Sequence, residues 1–137
     1  MDWTIEFDKA IEQYLPDLEV LQDEPMSRHT TFRIGGPAKR MAFPSSREQL
    51  VLLMSFAKNY GANPLVIGNG SNLLVPDEGL DRLVIDTSAN LNRVERGSEN
   101  TVLADAGATL ARTADLACKS GLTGLEFCLL YTSDAAD

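Results

Sequence analysis

Residues 64–76 read Pro64-Leu65-Val66-Ile67-Gly68-Asn69-Gly70-Ser71-Asn72-Leu73-Leu74-Val75-Pro76, and the fold turns on how this stretch is read. A short apolar run suited to a buried strand breaks at Gly68-Asn69-Gly70-Ser71-Asn72 and resumes as Leu73-Leu74-Val75. Two glycines two apart let a backbone turn tightly and present consecutive N–H groups with no Cβ in the way. Such a concavity holds a phosphate or pyrophosphate, and the Ser71 hydroxyl and Asn72 amide add donors. The alternative is a tight turn with no ligand, since glycine-rich turns are common. A dinucleotide fingerprint of the GxGxxG kind does not fit. Its third glycine would fall on Leu73, and the following residues read as a strand where that motif needs a helix N-terminus. A P-loop fails as well, because no lysine follows a second glycine at the required distance. The loop is expected to join strand to strand.

Working outward, Leu83-Val84-Ile85 and Val102-Leu103-Ala104 are further strand candidates, separated by a polar turn region from Asp86 to Asn100. Upstream lies a strongly marked helix: Ser45 stands three residues before Glu48, at capping-box spacing. Leu50, Leu53, Met54, Ala57 and Tyr60 form its apolar stripe, and Gly61 occupies the C-cap. Thr109 begins another helix, with Leu110, Ala114, Ala117 and Cys118 on one face and Gly121 closing it. Thr31 to Ile34 and Arg40 to Phe43 alternate like two strands around Gly35-Gly36-Pro37. Trp3, Phe7, Ile11 and Tyr14 recur at helical spacing, which predicts an amphipathic arm from Trp3 to Gln22, with Asp23-Glu24-Pro25 as a connector. Helices alternate with short strands, so the class is α/β or α+β.

With 137 residues, 44% hydrophobic and 23% charged, the chain has the size and composition of one globular domain. A net charge of -8 with only one adjacent basic pair, Lys39-Arg40, argues against nucleic acid or anionic membrane as partner. No apolar run is long enough to span a bilayer, and the start does not read as a signal peptide. Cytoplasm is the expected compartment. Cys118 and Cys128 lack metal or disulfide spacing and are expected to be small buried hydrophobes.

Three motifs in order resemble the UDP-N-acetylmuramate dehydrogenase (MurB) family. His29-Thr30-Thr31-Phe32-Arg33-Ile34-Gly35-Gly36-Pro37-Ala38 resembles its opening motif, and Ile67 to Val75 its flavin-pyrophosphate loop. Gly121-Leu122-Thr123-Gly124-Leu125-Glu126-Phe127 resembles the segment leading into its second flavin-contacting stretch. The resemblance implies an α+β, PCMH-type flavin fold like that of vanillyl-alcohol oxidase, of which this chain would hold the first subdomain. It implies FAD as cofactor, NADPH as co-substrate and UDP-GlcNAc-enolpyruvate as the small-molecule substrate, in peptidoglycan precursor synthesis. Residue by residue it places Gly68, Asn69, Gly70, Ser71, Asn72 and Leu73 at the pyrophosphate, and Ala106, Gly107 and Ala108 near the flavin nucleotide. Another PCMH-type flavin oxidoreductase subunit and a non-catalytic phosphate-binding module are the alternatives.

Arg33 and the Gly35-Gly36 turn lie in a motif that is either structural or ligand-contacting. His29, the sole histidine, is expected to be a hydrogen-bonded strand residue, because the motif sets no carboxylate beside it. The family's proton-donating serine and its arginine and glutamate partners would lie beyond the matching residues, so no catalytic residue and no metal ligand is assigned in this chain, which is expected to be inactive alone. The expected division is a helical arm over 1–25, a partial flavin domain over 26–127, and a non-native tail over 128–137. The tail departs from the family pattern at Cys128 and reads like translated adapter sequence.

Overall fold

The computed structural model describes residues 2–68, 70 and 73–122. Its main sheet has four strands in the order β1-β2-β4-β3, with β1 spanning Glu19–Pro25, β2 Pro37–Phe43, β3 Leu65–Ile67 and β4 Leu80–Asp86. β2, β4 and β3 run parallel, and β1 joins β2 antiparallel at one edge. A smaller antiparallel pair, β5 (Val94–Arg96) and β6 (Val102–Ala104), lies against α3 (Leu110–Lys119). This is a mixed α+β architecture.

Side-chain alternation along the strands builds two core layers, because successive residues point to opposite faces. Ala42, Leu83 and Ile85 face α1 (Thr4–Tyr14) and α2 (Arg47–Tyr60), meeting Trp3, Phe7, Ile11, Leu15, Leu53 and Ala57. Met41, Phe43 and Val84 face the other way, onto Met26, Ile67 and Val75. Among the described residues the second layer has no helix over it apart from the short 3-10 turn Met26–Arg28; Met26 from the β1–β2 connection and Leu73 and Val75 from the β3–β4 connection pack on it.

Several expectations are corrected here. The first helix stops at Tyr14, before Pro16, and residues 19–25 form an edge strand instead of continuing it. Val20 and Leu21 supply opposite faces of that strand, an alternation hidden by the polar residues around them. Thr31 to Ile34 is not a strand; its backbone bonds locally, with Arg33 N–H donating to the Thr30 carbonyl. The α2 N-cap is Ser46, whose hydroxyl accepts the Gln49 N–H at 3.1 Å while the Gln49 side chain reaches back to the Ser45 N–H. The capping logic is right, but the box sits one residue later than expected, at Ser46 and Gln49 rather than Ser45 and Glu48. Leu73 to Val75 carries no strand pairing, and β5 lies inside the region read as a polar turn. Gly61 and Thr109 cap as expected. In α3 only Ala114 and Ala117 are buried; Leu110 and Cys118 are exposed, so Cys118 is not the buried hydrophobe anticipated. Cys128 lies outside the described residues.

Electrostatics pins α1 to the sheet. Asp8 accepts both Arg40 Nε–H at 2.8 Å and Nη2–H at 2.6 Å, a bidentate arrangement, and these bonds raise the guanidinium above its ordinary pKa.

Candidate functional site

Parallel strands end together, and ligand sites in such sheets form beyond their carboxyl ends. Here those ends are Phe43, Ile67 and Asp86. Three connections leave from them: the run into α2, the loop beginning at Gly68, and the turn from Thr87 to Asn92.

Thr87 fixes where the loop begins. Its backbone N–H and its buried hydroxyl both donate to the Ile67 carbonyl, each at 3.0 Å. Asp86, also buried, closes the adjacent turn by accepting from Ser88 N–H and Oγ–H at 2.8 Å and from Ala89 N–H at 3.2 Å. Asn90 then ties the turn to β2 by donating to the Phe43 carbonyl at 3.2 Å. Neither Thr87 nor Asp86 is marked by a sequence motif; only the register Ile67 against Asp86 reveals their place.

The glycines of the loop divide into two kinds. Gly70 is buried at φ +75°, and a Cβ there would stand 2.0 Å from the His29 carbonyl oxygen. Its carbonyl accepts the Thr31 N–H at 3.3 Å. Gly70 is therefore required by the protein's own packing, whatever its backbone also presents to a ligand. Gly68 is exposed, and among the described residues a Cβ on it would meet nothing within 4 Å. Asn69, Ser71 and Asn72 lie outside the described residues; Leu73 packs partly buried against the second core layer.

Ala106, Gly107 and Ala108 come to the same region from the other side. Gly107 is buried, donates its N–H to the Leu91 carbonyl at 2.8 Å, and lies so near the Thr87 carbonyl that a Cβ would stand 1.9 Å from it. Thr87 thus touches both segments that the sequence singled out. Ala106 is exposed.

Beside the loop opens a polar hollow of about 830 Å³, lined by Ser27, Arg28, His29, Thr30, Thr31, Arg33, Asp86 and Ser88. Its wall is the opening motif, recast as an irregular connection. Gly35 and Gly36 do not face it. Gly35 accepts from Ser27 N–H, and Gly36 donates to the Pro76 carbonyl at 2.9 Å, so this turn is structural. His29 follows the 3-10 turn rather than lying in a strand. Its ring lies tilted against that of Phe43, with centroids 6.0 Å apart, and Glu24 Oε1 stands 3.8 Å from Nε2, so a carboxylate does sit beside it, unlike the sequence expectation. Among the described residues Nε2 is buried with no hydrogen-bond partner. An apolar hollow near Met54 and Pro64 has none of this chemistry.

The FAD binding domain family model matches residues 38–133. The chain belongs to that family. It is 47% identical over 110 residues to the UDP-N-acetylenolpyruvoylglucosamine reductase of Moorella thermoacetica, covering 80% of this chain and 36% of that protein. The enzyme of the same name from Agathobacter rectalis is 42% identical over 132 residues, covering 88% of this chain and 42% of that protein. The chain thus spans well under half the length of these relatives. Among solved structures, the same reductase from Thermus caldophilus superposes with a TM-score of 0.51 at 31% identity, covering 80% of this chain and 36% of that one. Alkyldihydroxyacetonephosphate synthase superposes at 0.61 with 21% identity, over 85% of this chain and 27% of its own, which shows the shared fold.

The donor set suits this family's cofactor. Hydroxyls of Ser27, Thr31 and Ser88 and the guanidinium of Arg33 surround the hollow, and the Gly68 lip is open beside it. Polyol and phosphate oxygens are what such groups bind. No group of three His, Cys, Asp or Glu that could hold a metal is present among the described residues, and none of their helices is long and apolar enough to cross a membrane.

Proposed function

We propose that this chain cradles the FAD of an NADPH-dependent reductase that converts UDP-GlcNAc-enolpyruvate to UDP-N-acetylmuramate in cytoplasmic peptidoglycan precursor synthesis. The observation that carries the reading is the open Gly68 lip at the carboxyl end of β3, beside a hydroxyl- and arginine-lined hollow. The three-motif resemblance and the similarity to the reductases supply the substrate.

Bound FAD supplies hydride transfer, which no side chain can perform. The residues here bind and orient. Gly68 and its neighbours Asn69, Gly70, Ser71, Asn72 and Leu73 form the pyrophosphate cradle. Thr87 sets the loop's origin through its two bonds to Ile67. Ala106, Gly107 and Ala108 press the turn after β4 into place and shape the nucleotide's far wall, and the Gly107 bond to Leu91 is the contact that supports this role. None of these residues is assigned a proton-transfer step; the chain's part is to hold the cofactor.

The test is a titration of the 137-residue chain with FAD, followed by flavin fluorescence and absorbance. Saturable binding is expected, with no NADPH consumption when UDP-GlcNAc-enolpyruvate is added. Absence of any binding to the folded chain would refute the cradle. Substrate-dependent NADPH oxidation by this chain alone would refute the restriction to cofactor binding.

A further inference from the structure

Arg33 occupies a conformation that its side chain does not favour. Its φ is +56°, in the left-handed region where a Cβ carries an energetic cost that glycine escapes. The turn leaves no alternative: Arg33 N–H donates to the Thr30 carbonyl at 3.1 Å, and the Thr30 hydroxyl donates to the Ile34 carbonyl at 3.0 Å. Thr30 is itself buried, so the turn is anchored from below. For the fold alone, glycine or asparagine would serve this position better than arginine.

The side chain is exposed at the hollow's rim, and among the described residues it makes no ion pair and no hydrogen bond. Arg28, the other arginine of the hollow, is spoken for by Glu24 at 3.3 Å. Two residues before Arg33, the Thr31 N–H bonds the Gly70 carbonyl, so the turn is fastened to the glycine loop. A guanidinium with no partner among the described residues is thereby held, on a left-handed backbone, beside the expected cradle, in a chain whose net charge is -8. Strain of this kind persists only where the surrounding structure imposes it; Asp23, Asn63 and Glu99 share it, but only at Arg33 does it coincide with the lining of the polar hollow.

We propose that Arg33 is a cofactor-anchoring residue whose guanidinium takes a phosphate oxygen of the bound dinucleotide. This rests on the proposed FAD cradle and adds a residue to it. A planar guanidinium suits a pyrophosphate oxygen pair, and it supplies a fixed positive charge that the loop's N–H groups lack.

The experiment compares wild type, Arg33→Gly and Arg33→Lys in this chain by FAD and riboflavin titration and by thermal melting with and without inorganic pyrophosphate. Arg33→Gly is expected to melt within a few degrees of wild type, since relief of strain offsets the added chain entropy. It should bind FAD roughly tenfold more weakly. Riboflavin, which lacks phosphate, should bind both proteins alike, and pyrophosphate should raise the melting temperature of wild type only. Arg33→Lys, which keeps the charge and loses the fork, should fall between them. Arg33→Asn, a second residue tolerant of this φ, must match Arg33→Gly. Equal FAD affinity in wild type and both neutral variants would overturn the role of Arg33 while leaving the cradle standing. If wild type binds no FAD, the cradle fails, and the pyrophosphate melts still decide: a shift confined to wild type supports Arg33 as a phosphate anchor, and equal shifts or none overturn it.

Discussion

Gly68 and Gly70 are separated by one residue, yet replacing each by alanine should produce opposite signatures. At Gly70 the new Cβ would lie 2.0 Å from the His29 carbonyl oxygen, 3.1 Å from its carbon and 3.2 Å from the Thr30 Cα. All three are backbone atoms, so no side chain can swing aside. The left-handed φ of +75° adds about 1 kcal/mol for a residue with a Cβ. Relieving the clash requires the two segments to part by about 1 Å, a displacement typical of overpacking that costs about 1–3 kcal/mol. Loss of the 3.3 Å bond from Thr31 N–H to the Gly70 carbonyl contributes about 1 kcal/mol more. Gly70→Ala should therefore lose about 3–5 kcal/mol of folding stability with no flavin present. At Gly68 no described atom lies within 4 Å and φ is not left-handed, so Gly68→Ala should shift stability by less than about 1 kcal/mol. Its methyl group would instead project into the open space proposed for the cofactor. Urea unfolding of both variants without FAD, then FAD titration of whichever remains folded, separates the effects. Wild-type stability of Gly70→Ala would refute the packing argument. Wild-type FAD affinity in Gly68→Ala would refute the placement of the cofactor at this lip.

Thr87→Val keeps the side chain's shape and removes the buried hydroxyl's bond to Ile67, leaving the Thr87 N–H bond to hold the loop's origin. A loss of about 1–2 kcal/mol is expected by urea unfolding, together with weaker FAD binding; an unchanged midpoint would show that the hydroxyl contributes nothing. At the far end of the sheet, Trp3 Nε1–H donates to Asp81 at 3.0 Å, and this bond, assisted by Lys39, holds the Asp81 carboxyl below its ordinary pKa. A carboxylate with a depressed folded-state pKa stabilises the fold above its unfolded pKa and loses that contribution as pH falls through the folded one. Acid unfolding followed by fluorescence of Trp3, the single tryptophan, should thus have a component below the ordinary carboxylate range that disappears in Asp81→Asn; an identical acid limb in the variant would refute the link.

The sequence by itself determined the elements whose signals are local. The α2 stripe around Leu53 and Ala57, its Gly61 cap, the Thr109 cap of α3 and the core runs of β3 and β4 need only neighbours within a few residues to form. The glycine loop and the three ordered motifs were legible for the same reason, and they sufficed to indicate the flavin family that residues 38–133 match. Tertiary structure decided what depends on pairing between distant residues. Glu19–Pro25 is a strand because β2 offers it an edge, and Thr31 to Ile34 is not one because Thr30 and Gly70 take its hydrogen bonds. Thr87 acquires its importance from a carbonyl twenty residues earlier in the chain, at Ile67. The two loop glycines, identical in the sequence, part company for the same reason: Gly70 meets the backbone of His29, forty-one residues upstream, while Gly68 meets open space among the described residues. Local propensity is encoded within a turn or two of chain, whereas the direction in which a missing Cβ would have pointed is fixed only when remote segments pack.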